Sequence, residues 1–140
     1  MLTLRPYYWK ILALCALVLI GIGLYFVLLR PVLLPEDARY IGTTSREILH
    51  AFPSLATWLD KVFWVMGGYI ITAGLLTLYI AVTSFRARSR GAFGIVALAG
   101  ATSVGWMAFV NFMIDSAFKW LLLALAALWT LALLLFELER

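Results

Sequence analysis

The apolar positions of this chain fall into four long runs, residues 11–29, 62–85, 92–114 and 118–136, separated by short polar punctuation except for one long insert at 31–61. At about 1.5 Å of rise per helical residue the first run covers about 28 Å, which matches a hydrocarbon layer roughly 30 Å thick. Lipid offers no partner to a free N–H or C=O, so apolar runs of this length predict helices. The expected fold is an all-α membrane protein, a single domain over residues 1–140 with four transmembrane helices in an antiparallel bundle. The third and fourth runs are joined only by "IDSAFK", which makes them antiparallel neighbours.

The insert follows a different pattern. In "LLPEDARYIG", Pro35 suits a first helical position, Glu36 and Asp37 oppose the positive end of the helix dipole, and Gly42 suits a C-terminal stop. In "TSRE", Thr44 and Glu47 have the spacing of a capping box, which predicts a second short helix ending before Pro53. Ser54 can cap a third start that runs through Leu55, Trp58 and Leu59 into the second long helix. Ile48, Leu49, Phe52, Leu55 and Leu59 give these pieces an apolar side, so the expectation is an ordered cap of short amphipathic helices on the outer end of the bundle.

Composition agrees with this environment: 65% of residues are hydrophobic, 13% are charged and the mean hydropathy is +1.02, well above a soluble domain. The net charge of +4 does not mark a nucleic-acid binder, because the eleven Lys and Arg stand at the ends of apolar runs. They set orientation instead. Arg86, Arg88 and Arg90 form an acid-free loop and Arg5 and Lys10 precede the first helix, whereas in the insert Arg30, Arg39, Arg46 and Lys61 are balanced by Glu36, Asp37, Glu47 and Asp60. By the positive-inside rule both termini are cytoplasmic and the insert extracytoplasmic. The first run reads as a retained helix, since it exceeds a signal peptide's apolar core and "LLRPVLL" has no small-x-small site. Tyr7, Tyr8, Trp9, Trp58, Trp64 and Trp120 fit interfacial aromatic belts, and membrane lipids are the first expected partners.

Small residues locate packing faces. Ala97, Ala101 and Gly105 repeat every four residues with Ala108 following, and Gly67, Gly68 and Gly74 cluster in the second run; such stripes let helices approach closely in lipid, within one chain or across an oligomer. The fourth run is a Leu/Ala rod, either lipid-facing or one face of an interface. Among polar residues, Asn111, Asp115 and Lys119 are spaced by four near the outer boundary, where either Asp115 and Lys119 bridge the turn with Asp115 or Ser116 capping the fourth helix, or Asp115 and Lys119 line a polar pocket with Asn111 and the lone His50.

Catalytic signatures are missing. A single Cys15 permits no disulfide or CxxC pair, the single His50 permits neither bis-His haem ligation nor an ordinary zinc site, and no GxSxG, HExxH or P-loop motif occurs. No cofactor is expected.

The segments "LLPEDARYIGTTSREIL" and "GGYIITAGLLTLYIA" resemble a group of small bacterial four-helix membrane proteins, broadly DoxX-like, with a PED-x-x-Y-x-G element after the first helix and a GG-x-x-x-x-x-GLL element in the second. Pro35, Glu36, Asp37, Tyr40, Gly42, Gly67, Gly68, Gly74, Leu75 and Leu76 carry the likeness, over about a third of the chain. Many members have a His-Asp-Arg run before the paired glycines, where this chain has "VFWVM". The resemblance implies the fold and a bacterial inner-membrane location, with no activity attached. The leading functional expectation is a non-enzymatic accessory or assembly subunit of a larger membrane complex, or a homo-oligomer. The alternative is a binder or transporter of a lipid-like or quinone-like molecule, with its pocket beneath the outer cap.

Overall fold

A computed structural model describes residues 7–139. Among the described residues the structure is helical with no strand: α1 (Tyr8–Leu28), α2 (Pro35–Ile41), α3 (Ser45–Ala51), α4 (Leu55–Phe85), α5 (Ala92–Met113) and α6 (Lys119–Leu138). α1, α4, α5 and α6 are long and apolar enough to cross a membrane.

Local signals in the insert act as their spacing requires. Pro35 opens α2, and Gly42 closes it with φ +85° while its N–H reaches the Ala38 and Arg39 carbonyls, a conformation that only glycine adopts cheaply. Thr44 and Glu47 exchange the two bonds of a capping box, each at 3.2 Å. Ser54 differs from expectation. Its backbone is already helical and its side chain makes no capping bond.

α1 is the central helix, packed along α4 and also against α6. Its seam with α4 is set by glycine. A Cβ on Gly23 would lie 2.8 Å from the Gly67 carbonyl oxygen, one on Gly67 would lie 2.7 Å from the Gly23 oxygen, and one on Gly74 would lie 3.0 Å from the Ala16 oxygen. Where dispersion drives association, such backbone contact is what small residues supply. Gly68, the adjacent glycine, has nothing within 4 Å and faces outward.

Within the chain, the face that α5 buries meets the expected small-residue stripe at Ala108 and otherwise lies one residue before it. Ala92, Val96, Gly100, Val104 and Ala108 are buried, whereas Ala101 is exposed and Ala97 and Gly105 are half-buried. A π turn follows at Ala101–Gly105. Its i→i+5 pattern puts more residues into each revolution, so positions four apart stay on one face where a regular helix would let them drift. Gly100 is the close-contact position, because a Cβ there would fall 2.3 Å from Nε1 of Trp129, and that indole N–H donates to the Val96 carbonyl at 3.0 Å. The Leu/Ala rod turns one face to the core: Leu122, Leu125, Trp129, Ala132 and Phe136 are buried at the 3–4 spacing of a packed seam.

The end that carries the arginine loop is filled. Tyr8, expected in an interfacial belt, is 3% exposed; its hydroxyl donates to the Arg86 carbonyl at 2.9 Å, and its ring meets Phe85 and Phe136 edge-on. Phe85 and Phe136 stack with centroids 4.5 Å apart. Arg88 turns inward, donating from Nη1 to the Phe136 carbonyl at 2.7 Å and lying over the Tyr8 and Phe136 rings, while Arg86 covers Trp9. Arg90 is exposed and Arg5 lies outside the described residues. Cys15, Leu12 and Leu19 of α1 complete the core between the ends.

Candidate functional site: the cavity beneath the cap

α1 ends at "LLRP", and the charge placed there organises the opposite end. Pro31 discourages helix at the preceding residue, which leaves Arg30 just beyond the last turn of α1 with its N–H on the Tyr25 carbonyl. Its guanidinium is 9% exposed and pairs with Asp37 at 3.2 Å. It also donates to the Pro31 carbonyl at 3.0 Å and lies 3.6 Å from the Phe63 ring centroid, with Phe26 on its flank. An arginine so desolvated is stabilised by its carboxylate partner and by the negative faces of both rings. Asp37 additionally receives the Leu34 N–H at 2.9 Å, so α2 is held to the end of α1 by one carboxylate.

Glu36 anchors the other side of α2. It is 6% exposed and accepts the Ser116 hydroxyl at 3.0 Å across a sequence separation of 80 residues. Ser116 in turn accepts the Phe118 N–H at 3.1 Å at the start of α6. Burial alone would push the Glu36 carboxyl up, but hydrogen bonds from its own backbone N–H, the Ser116 hydroxyl and the Ala117 N–H, helped by the charge of Arg39, outweigh it and hold the group below its ordinary 4.5.

These contacts roof a cavity of about 520 Å³. α1 contributes Val18, Ile22 and Tyr25 to its walls, α4 contributes Phe63 and Met66, and Met107, Phe118 and Leu121 come from the α5–α6 side. Arg30, Glu36, Asp37, Asn111 and Ser116 gather at the cap end. Asn111 donates through Nδ2 to the Met107 carbonyl at 2.9 Å, which leaves its side-chain oxygen as an acceptor. An apolar chamber with a few convergent polar groups is the usual form of a small-molecule site.

The residues expected to share a polar pocket separate. Asn111 lines the cavity, whereas Asp115 and Lys119 form an ion pair on the outside of the turn, and His50 is exposed at the end of α3. Asp115 adopts φ +52°, a conformation that Asp tolerates better than most residues, and Arg39 donates to its carbonyl at 2.8 Å. The Lys119 hydrogen bond and charge, with Arg39 behind them, hold the Asp115 carboxyl below its ordinary 3.8. This is the bridging role that the spacing allowed, and it clasps α2 to the α5–α6 turn.

Arg30, Glu36, Asp37 and Ser116 are the polar groups that spacing did not single out for a site. A usable signal does exist for Arg30, a cation placed directly between a 19-residue apolar run and a proline and followed within a few residues by paired acids. Comparison of the chain with family models, with curated proteins and with solved structures finds no match.

Proposed function

We propose that the chain is a non-enzymatic integral membrane protein that binds a small lipid-like molecule in the cavity beneath its cap. It is an antiparallel four-helix bundle of the bacterial inner membrane with both termini cytoplasmic and α2 and α3 on the outer side. The acid-free loop bearing Arg86, Arg88 and Arg90, together with Lys10 at the same end, supports that orientation. The observation that carries the binding reading is the cavity itself, about 520 Å³, apolar along its walls and polar only at the cap. A bundle built solely to seal or to dock has no need of such a void, whose lining forfeits dispersion contacts when empty.

The test is mass spectrometry of the intact protein after mild-detergent extraction. A retained small molecule that disappears in Gly21→Phe supports the reading, since Gly21 lines the cavity and has nothing within 4 Å of its Cβ position. Protein free of any small molecule, or equal retention in Gly21→Phe, overturns it.

A second reading, an accessory subunit or homo-oligomer, is favoured by Ala101, exposed on α5 with Gly105 half-buried beside it, because small residues on an outer face suit a further helix. A stoichiometric larger partner in the same experiment would establish it.

A further inference from the structure

The polar end of the cavity carries more acceptor than donor charge, and its strongest donor is already engaged. Arg30 is engaged by Asp37, by the Pro31 carbonyl and by two ring faces. Asn111 gives one amide N–H to the Met107 carbonyl, and Ser116 gives its hydroxyl to Glu36. The acceptors left open are carboxylate lone pairs on Glu36 and Asp37 and the Asn111 side-chain oxygen, beside the Tyr25 hydroxyl. The lining holds two acids and one base, a formal charge of −1, and Arg39 and Lys119 stand outside the lining on Asp115. A carboxylate or phosphate head would meet two carboxylates and a single guanidinium already paired with one of them.

Given that this cavity holds a ligand, we infer that the ligand is an amphiphile whose head is not anionic and donates hydrogen bonds, a hydroxyl or ammonium group on an apolar chain. The head sits at Glu36, Asp37 and Asn111, and the chain lies against Tyr25, Phe63 and Met107.

Three probes of equal chain length separate the heads: oleyl alcohol, oleylamine and oleate, titrated into delipidated full-length protein in nanodiscs and read by native mass spectrometry. Oleyl alcohol and oleylamine bind, and oleate binds at least about tenfold more weakly, the minimum that one like-charge contact near a protein surface should impose. Glu36→Gln weakens oleylamine more than oleyl alcohol and raises oleate, because it removes one negative charge. Asp37→Asn, which frees Arg30, raises oleate further, and either variant suffices if the other fails to fold. Oleate binding as tightly as the alcohol, yet lost in Gly21→Phe, would sink the head-group inference and leave the site reading standing. No binding by any probe, or binding indifferent to Gly21→Phe, would remove both.

Discussion

The two ends of the bundle use the same materials for opposite results. At the arginine-loop end, Arg88 lies over Tyr8 and Phe136 and donates to a helix carbonyl, beside the buried Phe85. At the cap end, Arg30 lies over Phe63 and Phe26 with its own carbonyl partner, and a cavity opens beside it. The difference is in what the rings do. Phe85 and Phe136 stack on each other and Tyr8 closes their edges, whereas Phe26 and Phe63 meet edge-on at 6.1 Å and wall the chamber with Tyr25 and Phe118. Similar arginine–ring contacts close one end, where three rings pack on one another, and frame the other, where the rings line a cavity and Asp37 takes the guanidinium.

The comparison breaks most sharply at the glycine seam on which both ends depend. Gly67→Ala places a Cβ 2.7 Å from a backbone oxygen, so α1 and α4 must separate; a loss of about 3 kcal/mol is expected, as for overpacking of a tight core, seen as a large fall in thermal unfolding temperature in detergent. Gly68→Ala, one residue on and facing open space, should leave stability unchanged or raised by up to about 1 kcal/mol through helix propensity. Equal losses at both positions would refute the close-contact assignment.

Next in size is the filled end. Arg88→Ala removes a charge-assisted bond and two ring contacts, costing about 2 kcal/mol, with no change in probe binding at the cavity. Trp129→Phe is smaller. It loses the bond to the Val96 carbonyl and should cost about 1 kcal/mol, with the Gly100 contact largely kept by the remaining ring.

The smallest effect is the acid response of the cap. Glu36 has a folded pKa held below 4.5, so its contribution is complete above that value and is lost as pH falls through the lower folded pKa. Wild type and Glu36→Gln should therefore differ in unfolding temperature near neutrality and converge as the pH drops below 4.5. A gap that persists in acid would assign the loss to packing instead of ionisation.

What could be read from the residues was whatever closes over a few positions. Pro35 with Gly42 and Thr44 with Glu47 are local signals, and the Gly67 and Gly74 contacts lie where a small-residue cluster was expected. Three features escaped. The face that α5 buries, at Val96, Gly100 and Val104, lies one residue before Ala97, Ala101 and Gly105, because a small-residue spacing does not say which face the rest of the chain covers. Tyr8 looked like a belt residue because its neighbours Tyr7 and Trp9 do, and its burial depends on Phe85 and Phe136, distant in sequence. The polar end of the cavity joins Arg30, Glu36 and Ser116 across some 80 residues, and only the fold brings them together.

Cys15, the only cysteine in the chain, is fully buried in the seam of α1. A thiol with no surface access reacts only when its surroundings come apart, so its alkylation rate is a native clock for opening of the central helix, readable without any engineered label. Because the thiol lies at mid-helix, between the sealed end and the hollow one, a ligand that slows the clock must steady α1 itself and not merely occupy the chamber.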